Sequence, residues 1–302
     1  MAKLSSKIVS KSSTTSQISS GSVSKQTRIT KQQLDILYLI YRYRFVSTKH
    51  VKQVLGREQI QQAQQRLNTL LGKGYIGRNF SNLDRLTGTY ASYYLLPAGM
   101  KVLKQNKDAF EEERYLSQQT LHNIYKDKNA SPRFIKHQLD MGDIRLELIR
   151  LYGTDRLRAS TKSQLVIYEG LPESLPDAYI LLQDNSETNN TGKSYFLEYL
   201  ENSIPFWVYR NRIKAYEEYV YAGTWKETMQ EALPKILLVC ESPTLQRRMT
   251  RFLNRYMENC YEDMTFYVTN TETLKTCQSP HEPIWREISY TELEEVKIVS
   301  LA

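Results

Sequence analysis

The sequence predicts a two-domain chain of α/β and α+β class, with a basic, helix-rich N-terminal domain and a larger α/β sandwich. Its 302 residues fit two domains of ordinary size. The apolar residues first recur at helical spacing and then at every second residue. A second succession of helical and strand patterns begins at residue 131. The formal charge of +8 divides into +5 over residues 1–28, +9 over 29–105 and −6 over 106–302. A polyanionic partner is therefore expected at the first third of the chain.

The composition excludes several classes of protein. With 40% apolar and 25% charged residues, the chain can bury a core. Cys240, Cys260 and Cys277 form no CxxC pair, which indicates reduced thiols and a cytoplasmic location. The chain has neither a secretory signal nor an apolar run that could span a membrane, so no membrane partner is expected. Walker A, GxGxxG and Ser/His/Asp motifs are also absent, which leaves nucleotide hydrolysis and acyl transfer without support.

Residues 1–28 contain ten serines and five basic residues with little apolar content. Such a segment cannot bury enough surface to offset the entropy of ordering it, so it is predicted to be a disordered basic tail. The tail either adds salt-dependent affinity for nucleic acid or only solubilises the chain.

Residues 29–105 show three helical patterns, then two strands and a short closing helix. This order is that of a winged helix-turn-helix domain. The predicted elements are a helix capped by Thr30 that runs to about Tyr43, a second that begins after Ser47 or Thr48 and stops at Gly56, a third from Ile60 to Gly72, a strand that opens with Tyr75 and Ile76, a strand at Tyr90–Leu96, and a helix opened by Pro97.

The third helix carries side chains suited to reading DNA. An α-helix fits the major groove, where Gln pairs with adenine and Arg with guanine. The base-reading candidates are Arg57, Gln59, Gln61, Gln62, Gln65 and Arg66. The candidate phosphate contacts are Lys49, Lys52, Lys73, Arg78 and Arg85. His50 is expected at the surface beside these phosphates. The alternatives are an ordinary solvated helix face and a winged helix that binds protein.

The rest of the chain is predicted to hold a linker with a helical part at residues 106–130, an α/β domain at 131–290 and a C-terminal tail at 291–302. The α/β domain has the order α-β-β-β-α-β-α-β. Its predicted elements are a helix at Arg133–Tyr152, strands at Ser163–Tyr168, Asp177–Gln183 and Tyr195–Leu200, a helix at Ile204–Tyr221, a strand at Lys235–Cys240, a helix at Thr244–Asn259 and a strand at Thr265–Thr269.

Six segments carry a resemblance to a known family. In chain order they are LNTLLGKGYIGRNF, TYASYYLLPAGMKVL, HQLDMGDIRLELIR, LPDAYILL, FLEYLE and RNRIKAYEEY. Over about residues 30–288 the chain resembles the replication-relaxation family of bacterial plasmids and integrated mobile elements. The resemblance implies a DNA-binding protein that acts in replication or mobilisation.

The α/β domain also looks like the PD-(D/E)xK fold of restriction endonucleases. That chemistry needs two carboxylates on Mg²⁺ and a lysine two residues after the second. Asp177 and Glu198 match the carboxylates, whereas residue 200 is leucine. Lys214 on the next helix is the candidate replacement, which gives the catalytic set Asp177, Glu198 and Lys214. Glu147 is a further candidate metal ligand, on one helical face with His137 and Asp140.

The favoured interpretation is that this nuclease-like domain is an inactive scaffold without a cofactor. Glu198 would then be an inner residue ion-paired with Arg212 and Lys214, and Asp177 would turn the chain after Pro176. The predicted function is a double-stranded DNA-binding protein of a plasmid or mobile element, acting in replication, mobilisation or maintenance with partner proteins or as a homodimer. The alternatives are a Mg²⁺-dependent nicking endonuclease and a winged-helix transcriptional regulator.

Overall fold

The protein is of mixed α/β class, with two β-sheets surrounded by helices. The computed structural model describes residues 29–56, 59–80, 86, 90–106, 116–183, 192–260, 262–289 and 297–301. The predicted tail at 1–28 and the candidates Arg57 and Arg85 lie outside the described residues. None of the described helices combines the length and the apolar composition that a membrane span requires.

The first sheet has three antiparallel strands, in the order β1-β3-β2. Thr30 caps the first helix through a reciprocal capping box with Gln33, as the position of Thr30 in the sequence predicts. The bounds are α1 Lys31–Tyr43, β1 Val46–Ser47, α2 Thr48–Val54, α3 Ile60–Gly72, β2 Ile76–Asn79, β3 Ser92–Leu95 and α4 Pro97–Gln105.

Strand β1 is absent from the sequence prediction, which has only two strands here. It pairs Val46 with Tyr93 and Ser47 with Ser92. A strand of two residues is too short to show alternation, so only its partner in the fold reveals it.

Part of the predicted linker packs against α1. Helix α5, Gln118–Ile124, places Leu121 and Ile124 in the same apolar cluster as Tyr41. The backbone N–H of Ser117 donates to the hydroxyl of Tyr41 at 2.7 Å. Asp127 is buried in the 3₁₀ turn that follows, where its carboxylate accepts from Arg44 Nε at 2.9 Å. These contacts attach residues 116–129 to the N-terminal helices.

The second sheet has seven strands in the order β10-β9-β8-β7-β6-β5-β4, and only the pairs β6–β7 and β7–β8 are parallel. Its strands are β4 Leu157–Thr161, β5 Ala178–Gln183, β6 Gly192–Leu200, β7 Lys235–Cys240, β8 Thr265–Asn270, β9 Trp285–Ser289 and β10 Ile298–Val299. Its helices are α6 Pro132–Tyr152, α7 Lys162–Leu165, α8 Phe206–Tyr221, α9 Thr224–Met229, α10 Pro243–Met257 and α11 Thr271–Thr276.

The strand predicted at Ser163–Tyr168 is wrong. The strand is Leu157–Thr161, and Thr161 then begins helix α7 through a capping box with Gln164. Helices α9 and α11 and strands β9 and β10 are missing from the sequence prediction. Strand β10 pairs with Trp285 and Arg286, so residues of the predicted C-terminal tail belong to the sheet.

Each face of the seven-stranded sheet is covered by helices. Along β6, Tyr195, Leu197 and Tyr199 pack with α6, whereas Phe196 and Leu200 pack with α8 and α10. This is the alternation that a strand imposes on its side chains. The three cysteines are free and buried in the two apolar clusters that result, as the sequence predicts for reduced thiols.

Side chains of α1 reach across to the second sheet. Arg42 donates through Nε to Gln164 Oε1 at 2.9 Å and through Nη2 to the carbonyl of Ala159. In return, the hydroxyl of Thr161 donates to the carbonyl of Arg42 at 2.9 Å. Charged and reciprocal hydrogen bonds of this kind fix α1 against β4 and α7.

Candidate functional site

Helix α3 has an apolar inner face and a polar outer face. Ala63, Leu67 and Leu70 are fully buried. The candidates Gln59, Gln61, Gln62 and Gln65 are all exposed. An amphipathic helix with an uncovered polar face can make contacts outside the chain.

Gln64 has a structural role, unlike its neighbours on α3. It donates to the hydroxyl of Tyr93 at 2.9 Å and lies 3.1 Å from the hydroxyl of Thr48. These bonds connect α3 to β3 and to the start of α2. They hold the glutamines on either side of Gln64 at the outer surface.

Basic side chains lie on α3 and on the elements that pack beside it. Arg78 on β2 is exposed, and Lys52, Arg66 and Lys73 are half-buried. Lys49 lies further away, where its Nζ contacts Asp143 of α6 at 2.9 Å. Arg66 lies on α3 and Lys73 is its C-cap residue. Lys52 and Arg78 lie on α2 and β2, which both contact α3, whereas Lys49 takes part in the junction with α6.

His50 is buried, so the expectation of a surface histidine is wrong. Its Nδ1 accepts the N–H of Ser47 at 3.1 Å, and its Nε2 lies 3.1 Å from Asp143 Oδ1. Although burial opposes ionisation of Asp143, hydrogen bonds from His50 and Lys49 lower the pKa of its carboxyl to about 2. His50 therefore joins α2 to α6.

Glu198 lies inside the second sheet and is held by helix α8. Its Oε1 accepts from Arg212 Nε at 2.9 Å and from the hydroxyl of Tyr216 at 2.5 Å. The other guanidinium nitrogens of Arg212 donate to the carbonyls of Ser174 and Leu175. Burial and the nearby negative charge of Asp177 raise the pKa of Glu198, although the positive charge of Arg212 opposes this shift.

Lys214 is exposed on the outer side of α8. Arg212 and Tyr216 are four residues apart and share the inner face, from which position 214 is rotated by about half a turn. The structure thus brings Asp177 and Glu198 near each other without Lys214. The ion-paired Glu198 of the scaffold interpretation is present, with Arg212 as its partner.

Asp177 is bound from the opposite layer by His137 of α6. Its carboxylate accepts the N–H of Tyr199 at 3.0 Å and lies 3.3 Å from His137 Nε2. The other ring nitrogen, Nδ1, lies 3.3 Å from Glu201 Oε2. An imidazole between two carboxylates must carry both protons to donate to each of them.

The pKa values of this cluster are consistent with that charge. Burial disfavours the imidazolium of His137, but hydrogen bonds and attraction from Asp177 and Glu201 outweigh burial and raise its pKa. Burial likewise opposes the charge of Asp177, and the bond from His137 lowers the pKa of Asp177 below its ordinary value. The two groups therefore stabilise each other as an ion pair.

A cavity of about 250 Å³ lies beside this ion pair, between α1, α6 and strands β4 and β5. Its walls include Asp177 and His137 together with apolar Met141, Ile180 and Leu197. Apolar walls strengthen a charge interaction and make an unpaired charge costly. Removing either member of the pair should therefore be destabilising.

The other predicted metal ligands on this face of α6 bind separate partners. Asp140 accepts from Lys136 Nζ at 2.7 Å and from the hydroxyl of Tyr199 at 3.0 Å. Glu147 pairs with Arg150 at 2.7 Å. His137, Asp140 and Glu147 thus share a helix face without binding at one point.

These residues do not fit the predicted Mg²⁺ site. Hard cations need several free oxygen ligands, whereas Asp177 and Glu198 are engaged by His137, Arg212, Tyr216 and a backbone N–H. Across the described ranges, no three His, Cys, Asp or Glu side chains form a group that could hold a metal ion. The arrangement of these carboxylates therefore supports no metal-dependent step.

Residues 37–233 match the replication-relaxation family, over more than half of the chain. The chain belongs to this family. The match confirms the resemblance on which the sequence prediction rested. Membership of the replication-relaxation family suggests a role in the replication or mobilisation of plasmids and mobile elements. No match was found among curated proteins.

In this replication-relaxation protein, two partners of the carboxylates are missing from the sequence prediction. His137 bridges Asp177 and Glu201, and Tyr216 binds Glu198. Helical spacing relates residues within one helix only, so it gives no signal for a contact between a helix and a strand. The folded sheet brings α6 and α8 to opposite faces of β6, and only this arrangement reveals both partners.

His137 should make the stability of this replication-relaxation protein depend on pH. Its pKa in the folded state is raised, so its stabilising charge is complete below the unfolded pKa of about 6.5 and is lost as pH rises through the folded pKa. We expect His137→Gln to lower the free energy of unfolding by about 1–3 kcal/mol below pH 6.5 and to remove its decline with rising pH. Urea unfolding at several pH values measures both effects. The exposed His122→Gln is the control, and an unchanged decline in His137→Gln would contradict the assignment.

Proposed function

We propose that this protein binds double-stranded DNA of a plasmid or mobile element and acts in its replication, mobilisation or maintenance. A winged helix formed by α1–α3 and the first sheet would read the major groove through α3. The observation that carries the proposal is the outer face of α3, where Gln61, Gln62 and Gln65 are exposed and Arg66 follows directly in the same helix. Amide and guanidinium groups are those that pair with base edges.

The arrangement around α3 supports this use. Three helices precede an antiparallel pair, β2 and β3, which pairs Arg78 with Tyr93. The chain enters and leaves the β2–β3 connection through Phe80 and Tyr90, which are 43% and 57% exposed. A ribbon beside a groove-reading helix is placed to contact the DNA backbone, so β2 and β3 would form the wing.

The seven-stranded sheet would act as a scaffold. The two carboxylates that match the nuclease pattern are each paired with a basic side chain, Glu198 with Arg212 and Asp177 with His137, where a metal ion would have to bind. The sheet also holds α1 through Arg42. It would position the winged helix and offer surfaces to replication or mobilisation proteins or to a second copy of the chain.

The experiment begins by selecting duplexes that the full-length protein binds from a random pool. Binding to the selected duplex and to a scrambled one is then measured by fluorescence anisotropy. We expect the triple variant Gln61→Ala, Gln62→Ala, Gln65→Ala to lose discrimination by about 1–3 kcal/mol for each base contact removed. The control is Gln118→Ala with Gln119→Ala, which changes two exposed glutamines of α5.

Phosphate contacts are tested by a salt titration of the same complex. Arg78→Ala should weaken binding to both duplexes alike and reduce the salt slope by about 1. A selected site with two-fold symmetry would indicate a dimer. If no duplex is enriched, or if the glutamine triple variant discriminates like the unaltered protein, α3 does not read DNA.

A further inference from the structure

Helices α8 and α10 carry a basic surface far from α3 in the sequence. We call it the arginine face and define it by the exposed cations Arg210, Lys214, Arg247, Arg248, Arg251 and Arg255. It lies in the part of the chain, residues 106–302, whose net charge is −6. Charge summed along the sequence therefore hides this surface.

The helical period of α10 places its arginines on one side of the helix. Its inward positions Leu245, Met249, Leu253 and Met257 recur every four residues and are all buried. The arginines occupy the other side of the helix, at spacings of one, three and four residues. Packing of the apolar side against the sheet thus presents the cations to solvent together.

Helices α8 and α10 are direct neighbours, so their cations form one surface. The rings of Phe206 and Phe252 meet edge to face with centroids 5.7 Å apart. The guanidinium carbon of Arg248 lies 4.1 Å from the ring centroid of Phe206. These contacts join the N-terminal half of α8 to the middle of α10.

The cations of the arginine face have no acidic partners among the residues that the structure describes. Glu217, which lies between the two helices, is engaged by the hydroxyl of Tyr256. Glu218 and Glu258 are exposed near the ends of α8 and α10, and they reduce the net positive charge of the arginine face only in part. A cluster of unpaired cations raises the local concentration of anionic ligands.

An exposed tryptophan borders these cations. Trp207 is 61% exposed at the start of α8, one turn before Arg210, whereas Trp225 and Trp285 are 5% and 0% exposed. A large aromatic side chain left in water beside unpaired arginines is suited to stacking on a base. Base stacking on aromatic groups and cations along the backbone are the two elements of single-strand recognition.

We propose that the arginine face binds single-stranded DNA, with Trp207 stacking on an unpaired base and the arginines along the phosphates. Stacking distinguishes a single strand from a duplex, whose bases are already stacked on one another. This inference goes beyond the proposed function, because it uses other residues and another nucleic-acid form. The protein would hold a duplex at α3 and a single strand at α8 and α10.

The test is a titration of the full-length protein with oligothymidylate of about 20 nucleotides, enough to cover one or two typical sites. Thymidylate does not pair with itself, so it offers only single strands. Of the three tryptophans in the chain, only Trp207 is exposed, so its fluorescence should fall as the strand binds. Trp207→Phe should abolish this decrease, and Trp207→Ala should weaken binding by about tenfold in anisotropy.

The contribution of the arginines to single-strand binding is tested with the double variant Arg251→Ala, Arg255→Ala. The salt slope should fall by about 0.7 for each phosphate that the variant no longer binds. The control is Lys126→Ala with Lys128→Ala, which removes two exposed cations near α5. The glutamine triple variant of α3 should keep the fluorescence decrease, so that failure of the duplex proposal and failure of this one are distinguishable.

Three outcomes would overturn the proposal. The first is single-strand affinity that neither the tryptophan nor the arginine variants change. The second is a duplex of equal length that displaces oligothymidylate equally well at the arginine face, which would show phosphate binding without stacking. The third is displacement by polyglutamate at lower concentration than by oligothymidylate, which would assign the face to an acidic protein.

Discussion

Replacing Arg212 with alanine is expected to lower the free energy of unfolding by about 3–5 kcal/mol, the cost of leaving a buried charge without its partner. The side chains of Arg212 and Glu198 are only 15% and 12% exposed. The guanidinium also satisfies the carbonyls of Ser174 and Leu175, so its loss would leave three acceptors with fewer donors. Urea unfolding followed by circular dichroism measures the effect.

The effect of Arg212→Ala should grow as pH rises. Burial already raises the pKa of Glu198, and removing Arg212 removes the attraction that opposes this shift. A carboxyl whose folded pKa lies above its unfolded value stabilises the protein when protonated, and this contribution is lost as pH rises through the folded pKa. The variant should therefore unfold more easily at pH 8 than at pH 5, relative to the unaltered protein.

Lys214→Ala is the matched control, because Lys214 lies two residues away on the exposed side of α8. Its effect on stability should stay within about 0.5 kcal/mol. The double variant Glu198→Met with Arg212→Met should recover part of the loss, since apolar side chains can replace a buried ion pair. If Lys214→Ala destabilised the protein as strongly as Arg212→Ala, the pairing described above would be incorrect.

Gly99→Ala should destabilise the protein by about 2–3 kcal/mol, as overpacking of a close backbone contact does. A Cβ on Gly99 would overlap the carbonyl oxygen of Tyr75. That carbonyl accepts the N–H of Leu96 at 3.0 Å, so it cannot move without weakening the bond that places α4 beside β2. The higher helix propensity of alanine, worth about 1 kcal/mol, is too small to compensate.

Gly72→Ala is the control for this substitution. Gly72 ends α3, has no heavy atom within 4 Å of a Cβ and does not need a left-handed conformation. Its replacement should leave stability unchanged or raise it by up to about 1 kcal/mol. A loss of stability in Gly72→Ala equal to that in Gly99→Ala would mean that the contact with Tyr75 is not the cause.

Much of the fold could be predicted from apolar period and capping residues. Helix α1 begins after Thr30 and ends at Tyr43 as predicted, and strand β7 has the predicted bounds Lys235–Cys240. The errors fall where an element is short or depends on a distant partner. Strand β1 has two residues and β10 has two, and neither can show a period without its neighbour in the sheet.

The candidate site was predictable in its carboxylates and in only one of their partners. Asp177 and Glu198 follow from the strand pattern, and the interpretation of Glu198 as an ion-paired residue named Arg212. His137 was expected to approach Asp140 and Glu147 along its own helix, but its partners are Asp177 and Glu201 of the sheet. Helical spacing shows which residues share a face and does not show what that face meets.

The family, the mixed α/β class and the division of charge into +14 before residue 106 and −6 after it all follow from the sequence alone. Which of these charges are paired depends on how the chain folds. The tertiary structure buries Glu198 against Arg212 and leaves Lys214 and the arginines of α10 in solvent. Net charge is a sum over the chain, whereas binding depends on where unpaired charges lie. A region that is acidic in total therefore presents a basic face.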